Sequence, residues 1–135
     1  MDLQKAMMVS ASGLHSQSVR MRIISENLAN QDSVSVAPGV DPYRRKVATF
    51  QSELDDVMGV ELVSPGKTAF DQSDFSRKYD PGHPAADEDG YIFKSNVNGL
   101  VEMMDMRQAQ RSYQSNLNAL EGSRKMATMT LDLLR

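Results

Sequence analysis

Residues 3–30 read LQKAMMVSASGLHSQSVRMRIISENLAN, and the fold turns on how their apolar side chains are spaced. Leu3, Met7, Ser10, Leu14, Gln17, Met21, Ile24 and Leu28 follow alternating steps of four and three, the 3.5-residue period of a helix that lays one seam against a neighbour. Six of these eight are apolar. The first proline is Pro38, so the pattern predicts one helix over about residues 3–29, ~40 Å long at 1.5 Å per residue. Asn30, Gln31, Asp32 and Ser33 favour turns and end it. Asn27 and Asn30 stand at that end and are expected to bond backbone groups left exposed there.

Working outward, the same steps return near the other end of the chain as Met103, Met106, Gln110, Tyr113, Leu117, Leu120, Arg124, Ala127, Leu131 and Leu134. Eight of these ten are apolar. Asn96 or Asn98 is placed to cap this second helix, and Glu102 and Asp105 oppose the positive end of its dipole. Gly99 and Gly122 each weaken it by roughly 1 kcal/mol relative to alanine and leave room for a neighbouring helix to approach.

Between the two helical stretches the composition changes. Ten of the 13 glycines and prolines fall within residues 31–95, and nine of the ten methionines fall outside. The same interval holds twelve acidic and seven basic residues, a net charge of −5. Turn signals are dense: Ala37-Pro38-Gly39, Asp41-Pro42, Ser64-Pro65-Gly66, Asp80-Pro81-Gly82-His83-Pro84 and Asp89-Gly90. Tyr43 to Phe50 alternates in part, and Val57 to Val63 and Tyr91 to Phe93 have strand composition. Residues 67–90 have no clear period and are expected to depend on partners for order. The fold class is therefore mainly α with a small β-containing middle module, and two long terminal helices form a coiled-coil-like pair. The chain divides into residues 1–30, an N-terminal helix in the helical core domain; 31–95, an acidic loop- and strand-containing module; and 96–135, a C-terminal helix in that same core domain.

With 135 residues the chain has room for one domain. Its net charge of −3 gives no attraction to nucleic acid or to anionic lipid. It has no cysteine, which excludes disulfides, thiolate-bound metal and thiol catalysis. The start at Met1, Asp2 and Leu3, with no nearby apolar run longer than Ala6 to Val9, predicts neither a cleavable secretory signal nor insertion in a membrane.

No enzymatic constellation is present. Asp87-Glu88-Asp89-Gly90 resembles part of a calcium loop, but alignment on Gly90 puts Ala85 and Asn96 where the first and last ligands belong, so it reads as an acidic turn before a strand. His15 and His83 have no partner at metal-site spacing, and no nucleophile-elbow glycines accompany Ser16. The expectation is no catalytic residue, no cofactor and no metal. Arg44-Arg45-Lys46, amid acidic residues, reads as the polar side of a strand. The seams remain. They either close on each other as a self-contained hairpin or also meet other chains, because a 65-residue insert cannot cover two ~40 Å helices on every side. On the second reading the interface residues are Leu3, Met7, Leu14, Met21, Ile24, Leu28, Met103, Met106, Tyr113, Leu117, Leu120, Ala127, Leu131 and Leu134. Polar Ser10, Gln17, Gln110 and Arg124 then help to set register.

Ser12-Gly13-Leu14, Gln17, Arg20 and Ser25-Glu26-Asn27-Leu28-Ala29-Asn30 resemble the N-terminal signature of the bacterial flagellar axial family of rod, hook and hook-junction subunits. Tyr79-Asp80-Pro81-Gly82-His83-Pro84, Ala86-Asp87, Asp89-Gly90-Tyr91, Asn96-Val97-Asn98, Arg111-Ser112-Tyr113-Gln114-Ser115-Asn116, Pro42-Tyr43-Arg44 and Phe50 extend the resemblance to its proximal-rod members over nearly the whole chain. The resemblance implies a structural subunit of the periplasmic rod, passed through the flagellar type III export apparatus without cleavage. It would transmit torque from motor to hook and filament and line the export channel. The implied partners are copies of itself, the proximal rod proteins FlgB and FlgF, the distal rod protein FlgG, the adaptor FliE and the MS-ring protein FliF. An export chaperone or adaptor, a helical hairpin that binds another secreted subunit, is the alternative class.

Overall fold

The helix-forming stretches end where side chains satisfy the free backbone groups. A computed structural model describes residues 2–134; Met1 and Arg135, the outer limits of the terminal stretches in the sequence division, lie outside the described residues. Helix α1 runs Leu3–Ala29, and its first turn is capped by Asp2, whose Oδ1 accepts the Gln4 N–H at 3.0 Å. At its other end Asn30 Nδ2 donates to the Glu26 carbonyl at 2.8 Å, as expected for a residue at that terminus. Helix α2 runs Gly99–Leu133. Of the two candidate caps Asn98 is the one used: its Oδ1 accepts from Leu100 and Val101 at 3.1 and 3.4 Å.

Three antiparallel two-stranded ladders lie between the helices. Strand β1 (Lys46–Val47) pairs with β4 (Ala69–Phe70), β2 (Phe50–Asp55) with β3 (Val60–Pro65), and β5 (Ser76–Tyr79) with β6 (Tyr91–Lys94). Residues 57–59, expected to begin a strand, form a turn: Asp55 Oδ1 accepts the Val57 and Met58 N–H groups at 3.0 Å, and Gly59 takes φ +61°, a conformation that favours glycine. Residues 67–90, which have no clear period in the sequence, nevertheless hold regular structure. This segment contains β4 and β5, and its long turn is held by Asp80 N–H donating to the Gly90 carbonyl at 2.9 Å. Each of these strands finds its partner far away in sequence, which local periodicity does not register.

The chain forms two compact units, each drawing on both helices: residues 1–21, 48–67 and 107–135, and residues 22–47 and 68–106. In the first unit the β2–β3 hairpin is fastened to α1, since Ser16 Oγ donates to the Val63 carbonyl at 3.0 Å and Val63 N–H donates to Ser12 Oγ at 3.3 Å. In the second, Ile23, Ile24, Ala85 and Ile92 are buried together with Ser35 and Ser95. Residues 33–35 run beside β6 through Ser35 N–H to the Phe93 carbonyl and Ser95 N–H to the Ser33 carbonyl, each 3.0 Å.

Close approach at glycine occurs elsewhere than at Gly122. A side chain at Gly13 would meet the Asn116 amide at 2.6 Å, one at Gly99 would collide with the Gln31 amide, and one at Gly122 would meet nothing within 4 Å. Gly122→Ala therefore gains helix propensity without a clash and is expected to stabilise the chain by about 0.5–1 kcal/mol. Urea denaturation of the two proteins measures it.

Candidate functional site

The face that α2 turns toward its own chain is built from small and polar residues. Glu102, Ala109 and Ser123 are buried, and Asn116, whose amide lies against Gly13, completes a row with a seven-residue period. On α1 the buried positions are Ser10, Ser16, Ile23, Ile24 and Asn27. The contact of Gly13 with Asn116 and the hydrogen bond from Arg20 to Gln108 run antiparallel in the first unit. The α2 row lies one residue N-terminal to Met103, Gln110, Leu117 and Arg124, a rotation of ~100° about the axis. At Gly13 the missing side chain leaves room for the Asn116 amide, and methionine and leucine lie on the flank of this row.

The sequence-selected interface residues fall into three groups. Ile24 is buried; Leu3, Met7, Leu14, Met21, Leu28, Met106, Tyr113, Leu117, Leu120 and Ala127 are half-buried; Met103, Leu131 and Leu134 are exposed. Of the polar members of the seams Ser10 is buried, Gln110 and Arg124 are exposed, and Gln17 has a buried Oε1 without a hydrogen-bond partner. Extending the antiparallel contact at Gly13 and Asn116 brings the start of α1 opposite about Met126, so roughly the last two turns of α2 have no α1 residue facing them. There Met129, Leu131, Leu133 and Leu134 are 56, 65, 86 and 80% exposed.

The second unit holds a polar bracket that joins the end of α1, the start of α2 and β1. Asn27 uses its whole amide. Its Oδ1 accepts from Lys46 N–H at 3.0 Å and Tyr43 OH at 2.9 Å, and its Nδ2 donates to the Lys46 carbonyl at 2.8 Å and Glu102 Oε2 at 3.1 Å. Asn27 thus grips a strand, not its own helix end. Glu102, wholly buried, pairs with Arg45 Nε. The other Arg45 nitrogens reach Asp71 at 3.4 Å and Asp105 at 3.3 Å. Asn96 Oδ1 accepts the Arg45 N–H at 2.7 Å, and Lys46 pairs with Glu26. Arg44-Arg45-Lys46 is therefore not simply the polar side of a strand: only Lys46 lies in β1, and Arg45 and Lys46 supply the counterions of this bracket, while Arg44 pairs with Asp41. Nothing in the spacing marks these pairs, whose members are up to 60 residues apart.

The bracket shifts its own titrations. Hydrogen bonds from Ser73, then the Arg45 charge, hold the Asp71 carboxyl below its ordinary value. Burial opposes the charge on Arg45, but bonding to Glu102 and Asp71 raises its pKa. Burial and the carboxylates of Glu26 and Glu102 push Tyr43 up to about 12 from 10.0. A raised folded-state value means the folded chain holds this proton more tightly, so the contribution is complete below pH 10 and is lost as pH rises toward about 12. Tyr43→Phe is expected to lose thermal stability less steeply than the parent over that interval, measured as melting temperature against pH.

The remaining motif residues are mostly structural. Ser25 and Ala29 are exposed on α1. Tyr79 stacks edge-on to Tyr91 at 5.2 Å, and Asp80 to Pro84 form the turn between β5 and β6, with His83 Nδ1 accepting the Ala85 N–H at 3.1 Å. On α2 Arg111 and Gln114 are exposed and Ser112 is half-buried; Gln114 donates to Asn118 at 2.9 Å. Asp87 Oδ1 accepts from Asp89 and Tyr91 N–H groups. Among the described residues no group of three or more acidic, histidine or cysteine side chains is placed to hold a metal, and no helix is long and apolar enough to cross a membrane.

Comparison with known proteins places this geometry. A family model described as the flagellar basal body rod FlgEFG protein C-terminal region matches residues 88–133. The chain is 51% identical over 133 residues to a flagellar basal-body rod protein FlgC of Agrobacterium fabrum, covering 98% of this chain and 96% of that protein. It is 36% identical to a FlgC of Bacillus subtilis, with 93% of each chain covered, and 34% identical to one of Aquifex aeolicus, with 98% and 97% covered.

Proposed function

The chain belongs to the FlgC family of flagellar basal-body rod proteins, structural components of the flagellum, and from that premise we propose how it builds the rod. The terminal helices form a coiled-coil-like core with each other and with those of neighbouring subunits. Polymerisation through them lines the export channel and carries torque from motor to hook and filament. The observation that carries this reading is the uncovered apolar end of α2. Met129, Leu131, Leu133 and Leu134 crowd a helix terminus that the described residues leave mostly exposed, an arrangement that marks an interaction surface. Burial against another helix contributes about 25 cal/mol per Å² of apolar area, and repetition over many subunits makes a small gain per copy decisive. The sequence-selected seam residues flank the intrachain row, where a second helix can reach them.

The protein is a structural part and not an enzyme; its work is load transfer through many packed helices. Its place is the periplasmic rod, reached through the type III export apparatus without a cleaved leader. The neighbours are further copies of itself, FlgB and FlgF in the proximal rod, FlgG beyond, and FliE and FliF at the base. The rod-protein names of the relatives give no support to an export chaperone. Purified basal bodies from cells that produce a tagged chain test the reading: the tag is expected in the rod, and cells without the chain are expected to build no rod. A tag found only in the cytoplasm would overturn it.

A further inference from the structure

A pocket of about 470 Å³ lies beside β5 and β6, lined by Arg44, Asp74, Phe75, Arg77 and Phe93. This is within the range of pockets that hold a group of side chains. Arg44 stacks on the Phe75 ring at 4.2 Å and Arg77 on the Phe93 ring at 5.2 Å, so each aromatic ring of the lining carries a guanidinium over one face. Arg44 is anchored by the carbonyls of Asp71 and Ser73. Arg77 has no carboxylate within ion-pair distance among the described residues. One carboxylate, Asp74, also lines the pocket, so its net charge is positive.

The chain carries a surface of the opposite character. Residues 50–65, which make the β2–β3 hairpin, hold four carboxylates (Glu53, Asp55, Asp56 and Glu61) and no basic residue. At its turn Val57 is 92% exposed, beside Asp56. The hairpin thus ends in an apolar knob next to an acidic group, and the pocket offers aromatic side chains with basic groups. No hairpin residue lines the pocket.

We propose that the pocket receives the β2–β3 turn of a second copy of this chain, with Val57 against the Phe75 and Phe93 side chains and Asp56 facing Arg77. Two unlike patches that fit each other make a head-to-tail contact, and such contacts generate open helical assemblies where self-complementary ones close into dimers. The rim charges fix the register, and the apolar knob supplies the burial. The proposal rests on the reading of the chain as a rod subunit, and adds to the helix seams a second contact between outer modules.

Because the chain has no cysteine, cross-linking can be read without background from its own thiols. Val57→Cys and Asp74→Cys are produced as two separate chains in one cell lacking the parent, and basal bodies are oxidised and analysed by mass. A disulfide-linked species of twice the chain mass is expected in the co-producing cells and in neither single-variant strain. Arg77→Glu is expected to lose swimming and Asp56→Arg in the same chain to restore it. Swimming cells whose rods contain both cysteine chains yet give no such species overturn the docking while leaving the rod assignment intact. So does a linked product of another mass. If the cysteine chains fail to enter rods, the charge reversal decides, and failure of Asp56→Arg to restore swimming overturns the proposal.

Discussion

Leu131→Asp is expected to leave the isolated chain as stable as the parent and to abolish swimming. In the single chain Leu131 is 65% exposed and lies past the start of α1 in the antiparallel register, so the substitution removes little internal contact and stability is expected to change by less than about 0.5 kcal/mol. On the proposed reading the same position meets another helix in the rod. A carboxylate buried there without a partner costs several kcal/mol if it stays charged, and the cost recurs in every subunit. Leu117→Asp, half-buried on the flank of the intrachain row, is expected to fail in both respects. Melting of the purified proteins set against swimming separates the two effects. Normal swimming by Leu131→Asp would mean that the exposed end of α2 makes no contact in the rod.

Arg45→Met is expected to produce the largest loss of stability of any single change in the second unit. It removes the cation beside Glu102, which is wholly buried, and leaves Asp71 and Asp105 without this partner as well. Breaking a buried pair by taking one member away costs about 3–5 kcal/mol, a large share of the 5–15 kcal/mol typical of a domain. Removing both partners should hurt less: Arg45→Met with Glu102→Met takes away the stranded charge, and Asn27 keeps Tyr43 and Lys46. Urea unfolding of the parent, both single variants and the double variant gives the coupling energy. A double variant no more stable than Arg45→Met would show that the pair itself, and not the stranded carboxylate, sets the loss.

The helices were legible because their information is local. The step of four and three, the absence of proline, and Asn96 or Asn98 with Asn30 at the ends are all read close to the residues they govern, and α1 at Leu3–Ala29 and α2 at Gly99–Leu133 follow, with the choice of Asn98 as cap made by the structure. The family motifs were legible for the same reason, as short runs of specific residues. Less followed for the middle. Tyr91 gave β6 and Asp87 to Gly90 gave its turn, but β4 and β5 went unseen because Ala69–Phe70 and Ser76–Tyr79 become strands only when β1 and β6 lie alongside.

What the amino-acid order determined by itself was thus the period of the helices, their ends, the acidic character of the middle and the family. Tertiary structure alone decided which line of each helix faces its own chain. A heptad spacing states that a stripe exists and favours its largest apolar members. The structure instead turns inward the row of Glu102, Ala109, Asn116 and Ser123, about 100° around the helix, because Gly13 leaves room for the Asn116 amide and Arg45 neutralises the buried Glu102 carboxylate. Those contacts join residues tens of positions apart, and no window of sequence contains both members of the pair.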